Sequence, residues 1–245
     1  MARILVTGSA GGLGLGAARR LTAEGHEVIV HARTVDRARD LRSLIERGAQ
    51  LVTGDLSDMN ETRGIVEQVS TFGKPDAVIH NAGVISGREL VPVNVVAPYL
   101  LTVLLPAARL VYLSSSMHRG GRSDVTGVDW SGTHATASYS DSKLLVTMLA
   151  AAVGRVRRDV YSNAVDPGWV PTRMGGPGAP DDLELGHRTQ AWLAAGEDPA
   201  THTSAYWHHQ RQQRPDPAVT DPARQDALLE ALTAHTGVRL DGTTA

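Results

Sequence analysis

A chain of 245 residues, 42% of them hydrophobic, can bury one substantial core and leaves little room for two. Its formal net charge of -2 offers no basic field for nucleic acid or an anionic membrane surface, so a small-molecule partner is expected. The absence of cysteine excludes disulfides, thiolate metal sites and thiol nucleophiles, and no apolar run approaches the ~20 residues of a bilayer span, so the chain reads as cytoplasmic.

In chain order, Ile4 to Val6 reads as a first strand and Leu13 to Glu24 as a helix stopped by Gly25, with the glycine-rich stretch Thr7 to Gly14 between them. Val28 to Val30 is a second strand, followed by a helix from about 35 to 47 that carries Leu41, Leu44 and Ile45 and stops at Gly48. Leu51 and Val52 form a third strand. The next helix opens with Asp58 and Glu61 in capping-box spacing and carries Ile65, Val66 and Val69. Ala77 to Ile79, a helix from about 94 to 107, Leu110 to Leu113, a helix from about 139 to 157 and Val160 to Val165 complete the regular part. Residues 175–180 are too rich in glycine and proline for an element and read as a mobile loop within a lid or substrate segment of about 171–207. A helix near 183–195 follows, then a polar stretch whose His202, His208 and His209 are too unevenly spaced for a metal site. The last helix, about 221–237, has Asp221 as cap, Pro222 at its first position and Gly237 at its end. Short apolar strands alternating with helices predict an α/β fold, a doubly wound parallel sheet in a single domain over 1–245.

The stretch TGSAGGLG satisfies two glycine spacings, Gly8/Gly12/Gly14 and Gly8/Gly11/Gly14, because Gly11 and Gly12 are adjacent. Either lets backbone N–H groups approach a pyrophosphate at a helix N-terminus. The first spacing suits a compact reductase and the second a nucleotide-sugar epimerase or dehydratase. Four further stretches decide between them: Asn81-Ala82-Gly83, Ser114-Ser115, Tyr139-Ser140-Asp141-Ser142-Lys143, and Pro167-Gly168-Trp169-Val170-Pro171-Thr172, each at a strand end or the start of the next helix. Together, over about residues 2 to 175, they resemble the short-chain dehydrogenase/reductase family of compact Rossmann-fold enzymes. The tail, with Tyr206-Trp207, resembles its retinol-dehydrogenase-like branch. The Asn-Ala-Gly and Pro-Gly stretches select the spacing Gly8, Gly12, Gly14.

That resemblance implies hydride transfer between a nicotinamide cofactor and a carbonyl compound or secondary alcohol. By the same resemblance Tyr139 is the proton donor or acceptor, Ser115 orients the substrate oxygen, Lys143 holds the nicotinamide ribose, and Asn94 holds a proton-relay water. It further assigns Gly8, Ser9, Gly12, Leu13, Gly14, Asp55, Leu56, Asn81, Ala82, Gly83, Pro167, Gly168, Val170 and Thr172 to the cofactor, with Asp55 on the adenine, and implies a homodimer through the helices starting near Asn94 and Tyr139. Tyr139 and Lys143, four residues apart, lie on one helix face. A lysine at ~4 Å in an effective dielectric of about 20 supplies on the order of 4 kcal/mol, or about 3 pKa units, which predicts a phenol titrating near working pH. After the second strand, the position of an NAD-selecting carboxylate falls on Ala32 and is followed by Arg33, so NADP(H) is expected over NAD(H). Trp169, Trp192 or Trp207 would give the pocket an apolar, aromatic lining. Only ten residues separate Gly83 from Asn94, about half the family's usual interval. That shortening leaves a non-catalytic nucleotide-binding sensor or scaffold as the rival reading.

Overall fold

The structure, a computed structural model, describes residues 1–240. Strands β1 (Arg3–Val6), β2 (Glu27–Ala32), β3 (Gln50–Thr53), β4 (Ala77–His80), β5 (Arg109–Leu113), β6 (Tyr161–Asp166), β7 (Tyr206–His208) and β8 (Arg211–Gln213) form one sheet in the order 3-2-1-4-5-6-7-8. All neighbours pair in parallel except β7 with β8. The order reverses between β1 and β4, which opens a crevice above their carboxyl ends.

Helices α1 (Gly12–Ala23), α2 (Arg42–Ile45), α3 (Met59–Phe72), α4 (Ala97–Leu104), α5 (Tyr139–Val156), α6 (Leu183–Ala195) and α7 (Pro222–Thr236) cover both faces. Because the strands are buried on both sides, successive residues feed different cores. Leu5, Ile29 and Val78 join α4, α5 and α7 in one cluster, whereas Ile4, Val28 and Ile79 join α1 and α6 in the other. No helix among the described residues is long and apolar enough to cross a membrane.

Three segments differ from the sequence reading. Residues 35–41 form a 3₁₀ helix with only one α-turn after it, because the buried residues Ala38, Leu41 and Leu44 recur every third position, the 3₁₀ period. The helix expected from Asn94 begins at Leu90 and passes through a π-turn at Pro92–Val96, where Pro98 has no N–H to give the Asn94 carbonyl. The polar stretch near 206–213 is a β-hairpin whose turn residues His209 and Gln210 hold φ of +46° and +61°. Asn-Gly is the usual signature of such a turn, and its absence hid the hairpin. Asp58 caps α3 through Asn60 and Glu61 N–H, but the Glu61 carboxylate accepts from Asp55 N–H rather than closing a capping box.

The C-terminal helix α7 lies on α5 and closes the face shared with α4. Leu228 and Leu232 are fully buried, the Tyr99 hydroxyl donates to Val238 O at 2.7 Å, and Arg155 bonds Gln225 and Asp226.

His80 is enclosed between Thr102 and the ring of Tyr112, stacked at 4.5 Å, and burial pushes its pKa from 6.5 down to about 3. Burial also lowers His31 and His118. An unfolded chain therefore takes up protons below about pH 6.5 that the folded chain refuses, so stability is full above that pH and is lost as pH falls toward 3. Tm should drop between pH 7 and pH 5, above the carboxylate range; a flat Tm over that interval would contradict neutral buried histidines.

Candidate active site

At the end of β1 the chain turns through Gly8 (φ +63°) and Gly12 (φ +53°), conformations that favour glycine. A Cβ at Gly14 would lie 2.4 Å from the Asn81 amide nitrogen and 2.6 Å from Gly8 O, so helix and strand can meet only there without a side chain. Gly11, by contrast, is extended and its Cβ would meet nothing within 4 Å. Geometry thus requires glycine at 8, 12 and 14. Asp58, Ser138, Asp182 and Asp221 cap the longer helices, whereas α1 starts with no side-chain cap and no acid in its first turn. Its free N–H groups and partial positive charge suit a pyrophosphate.

This turn is held from below. Asn81 donates through its amide to Thr7 O (2.9 Å) and Gly8 O (3.3 Å), and the Thr7 hydroxyl accepts from the Asn81 and Ala82 N–H groups. His31, buried beneath, accepts from Gly8 N–H through Nδ1 at 3.0 Å, so its Nε2–H donates to Gly54 O at 2.9 Å. The ring is neutral and ties three strand ends together. Ser9 is fully buried, its hydroxyl bonded to the His31 backbone.

A cavity of about 810 Å³ runs over the strand ends from β3 to β6. At one end stand Arg33, Arg37, Asp40 and Asp55; Ala32, where β2 stops, brings no carboxylate. Arg33 approaches Asp55 at 3.9 Å, but both are substantially exposed and the pair is weak. The Asp55 carboxylate also accepts from Ser57 N–H and hydroxyl.

At the other end Tyr139 begins α5 behind a capping box of Ser138 and Asp141. Its hydroxyl shares the cavity wall with Ser115 and lies 3.9 Å from the Met174 sulfur. Ser114 is spent on Thr147 at 2.6 Å and Ser116 is exposed, so Ser115 is the serine presented to Tyr139. Ser115 Oγ accepts from Met117 N–H, which leaves its proton to donate. Lys143 is buried; its Nζ donates to Leu113 O at 2.6 Å and stands 5.5 Å from the Tyr139 ring centroid.

The expected acidic phenol is corrected here. Burial pushes Tyr139 up to about 12, with Asp166 adding to the rise and Ser115 opposing it. Burial likewise brings Lys143 down to about 8 against the pull of Asp166. The lysine faces the ring and a backbone carbonyl rather than the hydroxyl, so desolvation outweighs its attraction.

Every residue assigned above to catalysis or cofactor lines this cavity except Ser9, Gly14 and Asn94. Asn94 lies behind it. Its amide accepts from Val84 N–H and donates to Val84 O and to the Ser142 hydroxyl, all at 2.9–3.0 Å. Trp169 is on the cavity, but Trp192 and Trp207 pack edge to face in the core, at 5.2 Å, and give it no lining. His202 stacks on Tyr161, while His208 and His209 lean on Asp166 and Pro167. The sequence reading missed His31, Arg37 and His118. A polar residue closing the apolar run Val28–Val30 was the only signal for His31. His118 donates from Nδ1 to Ser115 O at 2.7 Å and accepts Asp216 N–H at 3.0 Å, a link between segments 98 residues apart.

Comparison with known proteins agrees with this geometry. A family model described as short chain dehydrogenase matches residues 2–105. The chain is 36% identical to the short-chain dehydrogenase chyC of Penicillium rubens, covering 98% of this chain and 99% of that one. It is 33% identical to the short-chain dehydrogenase chry4 of Gibberella zeae, with the same coverage. A crystal structure from Mycobacterium paratuberculosis superposes with a TM-score of 0.80 at 21% identity, over 98% of this chain and 95% of that one. A metagenomic blue fluorescent protein in complex with NADPH does so with 0.70 at 20% identity, over 84% and 95%. The chain belongs to the short-chain dehydrogenase/reductase family of NAD(P)-dependent oxidoreductases.

Proposed function

We propose that this chain, working as a single domain, is an NADPH-preferring oxidoreductase that interconverts a small-molecule carbonyl compound and its alcohol, with Tyr139 moving the proton. One observation carries the reading: Tyr139, Ser115 and Lys143 meet at one end of a cavity whose floor is the uncapped turn of α1 and whose far end is Arg33. When bound, the nicotinamide nucleotide supplies the hydride. Gly8, Gly12 and Leu13 would receive its pyrophosphate, Asp55 and Leu56 its adenine, and Ala82, Gly83, Pro167, Gly168, Val170 and Thr172 its nicotinamide half. Ser9, Gly14 and Asn81 shape that cradle from beneath.

The Ser115 hydroxyl donates to the substrate oxygen and holds it beside Tyr139. A phenol pushed up to about 12 keeps its proton at neutral pH and gives it to that oxygen as negative charge gathers there. The Lys143 ammonium, buried beside the ring, favours the phenolate left behind and would hold the ribose hydroxyls. Asn94, its amide engaged by Val84 and Ser142, would hold the water of the proton relay behind Lys143. The lid role narrows to residues 171–182, since α6 and β7 are built into the helix layer and the sheet. A homodimer through α4 and α5 would have to displace α7.

Tyr139→Phe should leave fold and NADPH affinity intact and lower turnover at least ~10²-fold; undiminished turnover removes Tyr139 from the mechanism. Because Lys143 loses its charge near 8, the reduction rate should fall as pH rises through about 8. A rate that stays level to pH 10 would mean that the ammonium is not needed. One charge-assisted contact to the ribose phosphate is worth roughly 1.5–3 kcal/mol, on the order of 10- to 150-fold. Calorimetry should find NADPH bound tighter than NADH by such a factor, with the gap lost in Arg33→Ala, and equal affinities in the wild type would refute the preference.

A further inference from the structure

Nine large apolar side chains are exposed among the described residues, and four of them, Ile85, Met117, Trp169 and Met174, line the cavity that holds Tyr139. Such clustering marks a binding surface, since single exposed apolar residues are ordinary and contiguous ones are not. Each of the four is held by the site itself. The Trp169 indole N–H donates to Gly175 O at 2.8 Å, so the 60% of the residue that remains open presents ring carbon rather than a polar group. Met174 has its sulfur 3.9 Å from the Tyr139 hydroxyl, Met117 N–H donates to Ser115 Oγ, and Ile85 follows Val84, whose N–H and carbonyl are both pinned by Asn94.

Charge is gathered elsewhere. Arg33, Arg37, Asp40 and Asp55 stand beyond β2 and β3, at the opposite end of the sheet crevice from β5 and β6. Apart from Lys143, the remaining charged lining residues are Glu89 and Arg173, exposed and opposite in sign.

We propose that Ile85, Met117, Trp169 and Met174 form the substrate-binding surface, and that the substrate is a neutral ketone, or its alcohol, on a bulky apolar ring scaffold. This rests on the oxidoreductase reading above. Reduction adds hydride from NADPH to the carbonyl carbon and the Tyr139 proton to its oxygen, leaving NADP⁺ and the alcohol. Ring carbon gains by leaving water against these side chains, whereas a sugar would give up hydrogen bonds that nothing there replaces. A carboxylate or phosphate on the scaffold would find only the exposed, water-screened Arg173 on this surface.

The test compares acetone, cyclohexanone, 2-decalone, a carboxylated decalone and a ketose with purified protein and NADPH. The ratio kcat/KM should rise on the order of tenfold with each added ring among the neutral ketones. Trp169→Ala and Met117→Ala should lower it roughly 10- to 100-fold for 2-decalone, and less than about threefold for acetone, with NADPH affinity unchanged. A flat order, or a preference for the ketose or the carboxylated ketone, overturns the proposal. Calorimetric titration of 2-decalone into the protein with NADP⁺ separates the two readings. Binding that Trp169→Ala abolishes, without turnover of any ketone, keeps the surface and sinks the oxidoreductase reading; no binding sinks the surface. A sedimentation mass of two chains that reverts to one in Trp169→Ala would also overturn it, because the patch would then join copies of the chain.

Discussion

The passage of α1 over the ends of β1 and β4 is the constraint on which the rest depends. At Gly14 a single methyl group would collide with the Asn81 amide and the Gly8 carbonyl, so the helix comes close only because that carbon is missing. Close passage aims the uncapped N–H groups of α1 into the crevice at the sheet's reversal point. The neutral His31 ring fixes the same turn to β2 and to the end of β3, so the cradle is built by three neighbouring strands at once.

Burial shapes the opposite end of the cavity. The same desolvation that raises Tyr139 lowers Lys143, and together these shifts keep the phenol protonated while leaving the ammonium charged below about 8. In the proposed reaction a site set this way would donate its proton to a developing alkoxide. Asp166, at the end of β6, opposes the loss of charge on Lys143 and is itself held by Gly168 N–H and His208. The turn carrying the Pro-Gly stretch thereby shares an anchor with the Lys143 end of the cavity.

Several residues work at one remove from the chemistry. Asn94, Ser9 and His118 are not part of the cavity wall, yet together with Asn81 they set Val84, the glycine turn and Ser115 in place. Asn94 also ties its loop to α5, since its amide reaches both Val84 and Ser142 on the first turn of that helix. The short connection between Gly83 and Asn94 is accommodated because that amide clamps the loop directly. The α7 helix does similar service on the outer face, covering α4 and α5 with its own Leu228 and Leu232.

The sequence by itself determined the alternation of short apolar strands and helices, and with it the sheet type. It also supplied the glycine spacing, the Tyr139-Lys143 pair and Arg33, all of which act through local spacing on one turn, one helix face or one strand end. The period of Ala38, Leu41 and Leu44 was equally written there, but 3.0 and 3.6 residues per turn are hard to tell apart over two turns. Only the tertiary structure decided that Trp192 and Trp207 belong to the core and that His31 and His118 brace the site. It alone placed β7 beside β6 and turned the tyrosine less acidic instead of more. Each of these depends on partners tens of residues away or on loss of water, and neither distance nor desolvation leaves a periodic mark in the chain.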